Sequence, residues 1–241
     1  MSSIRFDDRP NPTQETHMRW FTKASTVVAG AGLAVSLASC SSDPGGSDTN
    51  EPSGTEPVGE FTTLEGVSTT VIFDPGFAAA LTSLKLVPST AGDATIGMKG
   101  NKVTAVFPIT GGNAAIYEKG EVDPYVQGEI QHDGSGLTLA AGKTTFTLMN
   151  FVIHPGKNAT LTGDVVIDGG TPLHQVTLFD LDGSTLETPT ISEKGVATLQ
   201  GTTIYLASDA ADALNGVFDT DALAGGKKVK VGTAVIDATG S

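Results

Sequence analysis

Cysteine occurs once in 241 residues, at Cys40, which excludes an intramolecular disulfide, a thiolate zinc cluster and a CxxC redox pair together. Arginine is absent after Arg19. Without a planar guanidinium fork the rest of the chain cannot clamp a carboxylate or phosphate bidentately, so anionic substrates lose favour. Aromatics are only 6% of residues, with Trp20 the single tryptophan and tyrosine confined to Tyr117, Tyr125 and Tyr205. Those are too few platforms for sugar stacking, which disfavours glycoside hydrolysis. Positive charge is scarce as well: from Cys40 onward ten lysines face 24 acidic residues, net −14. Such a surface repels nucleic acid and anionic lipid head groups, because both are held by neutralising phosphates with Lys and Arg, so no nucleic-acid partner is expected. No HExxH, Walker loop, GxGxxG after a strand, GxSxG elbow or SxxK follows Cys40, so no catalytic residue is assigned and a non-catalytic role is expected.

Glycine is abundant instead, at 30 residues, and charged residues are sparse at 17%, a mix that suits short strands joined by tight turns. Runs of β-formers bounded by Gly, Asn, Asp or Pro predict strands near 67–73, 93–98, 102–109, 113–118, 125–132, 136–140, 144–153, 158–167, 173–180, 196–206 and 227–237. In Thr144–Ile153 the positions Phe146 and Leu148 alternate with threonines, marking one wet and one buried face, and Phe151-Val152-Ile153 reads as buried on both. Two short helices interrupt the pattern. One begins at Asp74-Pro75, an acidic cap before a proline at the first helical position, with Phe77, Ala80, Leu81 and Leu84 on one stripe. The other begins at Ser208-Asp209 and carries Ala210, Ala213, Leu214 and Val217. The expected class is all-β, an antiparallel sandwich-like domain with two short helices packed on its sheets. A strand and helix at Thr69–Leu81 recur as Thr202–Leu214, a constant shift of 133 residues, so the chain opens and closes alike within one compact domain.

From Met18 the chain reads two positive charges, a run of small and apolar residues from Ala24 to Ser39, then cysteine. This is signal-peptide grammar, and at about 16 residues the run is short of the ~20 that a helix needs to cross a bilayer. Leu37-Ala38-Ser39-Cys40 resembles the lipobox of bacterial lipoproteins, which implies diacylglycerol on the Cys40 sulfur and cleavage just before it. At ~0.8 kcal/mol per buried CH₂, two or three acyl chains hold a protein on a membrane essentially permanently. The expected organisation is therefore a non-native extension over 1–17, with translation starting at Met18, a signal peptide over 18–39, a linker over 40–62 and an extracytoplasmic β domain over 63–241. The linker is dense in Ser, Gly, Pro, Asp and Glu and cannot repay the entropy of folding. As a coil of about 21 residues it gives the domain a reach of ~25 Å. The expected partners are the membrane, through the anchor, and an envelope protein or small molecule.

Val106–Gly112, Gly128–Leu139 and Leu161–Val165 together resemble the β-rich HtaA-like domains of bacterial surface proteins. The resemblance spans about 60 residues of turn and strand pattern. It implies haem uptake by a tyrosine ligand near the start of the domain, supported by a histidine from a Gly-His-x-Gly-type turn. His132 sits near the matching turn, whereas Phe73 and Phe77 stand where the tyrosine is expected. Phenylalanine cannot bond iron, so the haem candidates are His132 with Tyr117 or Tyr125. An extracytoplasmic hydrolase is a third reading, with no motif in its favour.

Other clusters lead less far. His132, His154 and His174 lie in different strands, 22 and 20 residues apart, which favours exposed or turn histidines over a metal site. Asp180-Leu181-Asp182-Gly183-Ser184 has alternating carboxylates before a glycine but lacks the distal bidentate acid of a calcium loop, so a polar turn is expected. No metal ligand is assigned.

Overall fold

A computed structural model describes residues 55–241. Cys40, the signal-peptide region and most of the linker lie outside the described residues. In chain order the elements are β1 (Gly59–Phe61), β2 (Leu64–Phe73), α1 (Pro75–Ser83), β3 (Val87–Gly92), β4 (Thr95–Lys99), β5 (Lys102–Pro108), β6 (Gly111–Ile116), β7 (Val126–Ala141), β8 (Thr144–His154), β9 (Thr160–Ile167), β10 (Leu173–Asp182), β11 (Thr190–Ile191), β12 (Ala197–Leu206), α2 (Ser208–Phe218) and β13 (Lys230–Gly240). All strand pairings are antiparallel, in the order β1-β6-β7-β8-β9-β10-β12-β13-β2-β5-β4, with β3 added to β7 and β11 to β12. The class is all-β, as expected. The described elements belong to one compact unit with a single core, the condition for a domain to fold alone.

The sheet folds over on itself, so strands far apart in its order meet across the core. Phe107 of β5 meets Phe151 of β8 edge to face at 5.2 Å, and Thr69 of β2 bonds His132 of β7. Both contacts are those of a sandwich, where one apolar face packs on another.

Two bulges set which residues face inward. Where separate strands were expected at 125–132 and 136–140, β7 runs through unbroken. The segment Asp133-Gly134-Ser135 reads as a turn, yet it is a bulge whose unpaired amides find other acceptors. Asp133 donates to Thr110 Oγ1 at 2.8 Å and Gly134 to Asn150 Oδ1 at 2.9 Å. The inward set changes from even positions (Val126, Ile130, His132) to odd ones (Ser135, Leu139) across it. In β8 the register with β9 shifts between Met149 and Val152, with Asn150 at φ 54°. The buried set passes there from Phe146 and Leu148 to Phe151 and Ile153, and Val152 is only half-buried. An extra residue in a period-two strand exchanges its faces. Because β7 is long, β6 pairs with its first half and β3 with its second.

Three strands were not expected. β3 contains Pro88 and is almost wholly exposed, which an edge strand tolerates. β1 falls within the stretch read as linker and is held by buried Phe61. β11 is a two-residue pairing on β12.

Asp74 caps α1, its carboxylate accepting from Gly76 N at 2.8 Å, with Pro75 following. α2 buries Ala210, Ala211 and Leu214, whereas Ala213, read as part of the stripe, is exposed. β2–α1 and β12–α2, the two units 133 residues apart, occupy matching places on either side of β13. Both helices close the same end of the sandwich, α1 through Phe77 and Leu81, α2 through Ala210 and Leu214, onto Phe146, Leu178 and Leu206. No helix among the described residues is long and apolar enough to cross a membrane.

Candidate functional site

Along the core the inward residues of each strand fall into three layers. β2 gives Phe73 to the helix-capped end and Thr69 and Val71 to the opposite end; β8 gives Phe146, then Phe151, then Ile153; β10 gives Leu178, then Phe179, then Leu181. The middle layer is closed by His132 and Phe107, leaving a void of only about 30 Å³. The end away from the helices is not filled. There a cavity of about 360 Å³ lies among Val71, Ile130, Ile153, Leu161, Leu199 and Ile204. That is within the roughly 300–1,000 Å³ of small-ligand pockets. Exposed loops at 119–125, 155–157, 182–184 and 227 form its rim.

His132 is 1% exposed, so it is neither the surface nor the turn histidine expected from its neighbours. Its Nδ1 lies 3.2 Å from the Phe151 carbonyl, an acceptor, so Nδ1 carries the proton and donates. Nε2 then accepts from the Thr69 hydroxyl at 2.8 Å. Burial lowers its pKa to about 4, against a smaller opposing effect of the Phe151 hydrogen bond, and the ring is neutral at pH 7. Ser135, fully buried behind it, donates its hydroxyl to the His132 carbonyl at 3.1 Å.

A hydroxyl on an imidazole whose other nitrogen is held by a third group has the outline of a nucleophile and its base. Two features argue against that use. A histidine of pKa about 4 is a poor base at neutral pH, and Thr69 is 3% exposed. The pair instead satisfies two buried polar groups in an apolar layer.

The three candidate haem residues line three different spaces. His132 borders the small central void, Tyr125 the large cavity, and Tyr117 a surface cleft with Val58, Pro189 and Ile191. Tyr125 and Tyr117 are joined through backbone, Tyr117 N donating to the Tyr125 carbonyl at 2.8 Å. The Tyr125 hydroxyl is shielded from solvent and has no hydrogen-bond partner among the described residues. Burial pushes its pKa above the usual phenol value, so it is a protonated donor with no acceptor among the described residues. In native proteins such groups are few and each calls for a cause, an unseen ligand among them.

His154 of β8 bonds Thr162 Oγ1 at 3.0 Å and His174 of β10 bonds Asp164 at 2.9 Å, both partners lying on β9. No three His, Cys, Asp or Glu side chains converge as a metal site among the described residues. In the Asp180–Ser184 segment Asp182 accepts from the Ser184 amide and hydroxyl, at 3.0 and 2.6 Å, and starts a single 3-10 turn, the polar turn expected.

Sequence reasoning missed the cavity and its lysines. Lys119, Lys157 and Lys227 stand on the rim, each beside a glycine in a turn: Lys119-Gly120, Gly156-Lys157 and Gly226-Lys227. The same pairing occurs away from the rim at Lys99-Gly100, Gly142-Lys143 and Lys194-Gly195, so it carried no signal for the site. Lys119 Nζ lies 5.8 Å from the centre of the Tyr125 ring, within cation–π range.

Fold and cavity together define an all-β domain with an end-on apolar pocket. No protein-family model matches the chain and no curated protein matches it. The structure resembles the crystal structure of the C-terminal domain of HtaA from Corynebacterium glutamicum, with TM-score 0.46 and 14% identity, covering 73% of this chain and 98% of that one. It also resembles a domain-swapped dimer of a variant of the same domain, with TM-score 0.42 and 14% identity, covering 70% of this chain and 94% of that one.

Proposed function

We propose that the chain is a lipid-anchored protein of the cell envelope whose β domain binds a small apolar ligand without transforming it. The observation that carries this is the cavity of about 360 Å³ with Tyr125 in its lining, whose hydroxyl is buried and has no partner among the described residues. A core that could close up but leaves such a space forgoes dispersion contacts throughout its lining, and a buried donor without a partner costs about 1–3 kcal/mol more. A ligand supplying both apolar surface and one acceptor repays these costs. The anchor rests on the Leu37-Ala38-Ser39-Cys40 sequence.

Two measurements test this. Intact mass of the membrane-extracted protein carries a diacylglycerol increment that Cys40→Ser abolishes; an unmodified wild-type mass refutes the anchor. The soluble chain from Asn50 onward takes up an environment-sensitive apolar dye, and Tyr125→Phe or Ala159→Trp reduces the uptake. Equal dye binding by wild type and Ala159→Trp refutes the cavity as the site.

Haem capture is a second reading, favoured by one observation: a buried phenol with no partner is a group that can ligate iron as phenolate. In that reading Tyr125 would be the residue to hold the iron that haem supplies, and the rim lysines would offer positive charge to its acidic groups. His132 stays a structural residue, since both its ring nitrogens are engaged. Adding haem to the soluble chain should then give a Soret band between about 380 and 420 nm that Tyr125→Phe shifts. An identical spectrum in the variant removes the reading.

A further inference from the structure

We infer that the ligand of the apolar pocket is an aliphatic chain ending in a single anionic head, carboxylate or phosphate, with the chain among the inner strand residues and the head at Lys119, Lys157 and Lys227. The inference rests on the reading of the cavity as a binding site and adds the chemical class of its occupant.

The walls argue for the chain. Among the residues lining the cavity Tyr125 is the one aromatic; the remainder of the apolar surface is Val, Ile, Leu, Ala and Pro. Such a surface gains from burying methylenes at ~25 cal/mol per Å² and has little with which to stack a planar ring. Thr69, a polar group of the inner wall, has its proton committed to His132 Nε2, so it offers no free donor to a polar ligand end. The inner end of the site therefore suits a hydrocarbon terminus.

The rim argues for the head. Ten lysines are spread over a chain that is net −14 after Cys40, and three of the ten meet at this one opening. Two carboxylates share the rim, Asp123 and Asp182. Asp182 is already engaged by the Ser184 amide and hydroxyl. With three lysines against two carboxylates, Lys227 lying near enough to Asp182 to hold its carboxyl down, the rim carries a small positive excess on a chain of opposite sign. Lysines are point charges on flexible stems, without the bidentate geometry of arginine, and they suit a mobile head group at a solvent boundary.

The test is displacement of a dansyl-undecanoate probe from the soluble chain by four compounds of equal chain length: dodecanoate, dodecyl phosphate, dodecanol and dodecyltrimethylammonium. Either anion should displace the probe about tenfold better than dodecanol, the cation worst, because three exposed lysines each contribute modestly. Which anion is stronger tells a carboxylate from a phosphate head. The preference should shrink at 1 M salt, where screening extends over ~3 Å. It should vanish in the combined Lys119→Gln, Lys157→Gln, Lys227→Gln variant, whose changes lie at exposed positions outside the core. If dodecanol displaces as well as dodecanoate, the anionic head is wrong while the pocket reading stands. If no compound of any charge binds, the pocket reading itself falls.

Discussion

Lowering the pH from 7.5 to 5 should remove about 2 kcal/mol from the stability of the β domain through His132 alone. In the folded protein burial holds this ring neutral down to about pH 4; in the unfolded chain it titrates near the ordinary value of about 6.5. Between those two values the unfolded state takes up a proton that the native state refuses. The stability is thus fully present above about pH 6.5 and is lost as the pH falls toward 4, reaching about 3 kcal/mol because each pH unit of that interval contributes roughly 1.4 kcal/mol. Carboxylates act in a lower window: Asp182, held below its ordinary pKa by the hydrogen bonds of Ser184, gives stability that is lost only as the pH falls through about 4 and below. Against a total of about 5–15 kcal/mol the histidine effect is large. Urea midpoints at pH 7.5, 6 and 5 measure it, and ring ¹⁵N shifts follow the site directly, with Nδ1 protonated at neutral pH. His132→Gln should be less stable than wild type at pH 7.5, and the difference should narrow by about 2 kcal/mol at pH 5, because the amide does not titrate. If wild type and His132→Gln lose stability in parallel over this range, or if the ring protonates near 6.5, the assignment of a buried neutral imidazole is refuted.

Three substitutions extend the reasoning. Tyr125→Phe removes a donor that the folded protein leaves unpaired, so it should stabilise the ligand-free domain by about 1 kcal/mol in urea while weakening ligand binding; a destabilised variant would mean the hydroxyl is satisfied. Gly136→Ala places a Cβ 1.9 Å from the Leu148 carbonyl oxygen and should cost about 3 kcal/mol or more, read as a fall in Tm; an unchanged Tm would refute the β7–β8 register. Asn150→Ala loses the bonds to Gly134 N and Asp164 and puts alanine at φ 54°, for a cost of about 2–3 kcal/mol. Asn150→Gly keeps the backbone freedom and should cost less, and equal losses in the two variants would show that the left-handed conformation contributes nothing.

Alternation and punctuation in the sequence determined the fold class. Thr144–Leu148 alternates as a half-buried strand must, and Asp74-Pro75 starts a helix by local hydrogen bonding and fixed φ alone. Both features depend on neighbours in the chain, and so both were legible. The same local logic misread Asp133-Gly134-Ser135 as a break between strands, since the groups that turn it into a bulge, Thr110 and Asn150, are 23 and 16 residues away. His132 was misplaced for a related reason: an imidazole beside Asp133 reads as exposed until β2 brings Thr69, 63 residues distant, against its Nε2. The anchor proposed at Cys40 rests on sequence alone, because a lipobox-like motif is read from consecutive residues. The pocket belongs to tertiary structure entirely. Its walls come from seven strands and its lysines from three loops, and an empty space is defined by which side chains fail to meet, a property no single stretch of chain possesses.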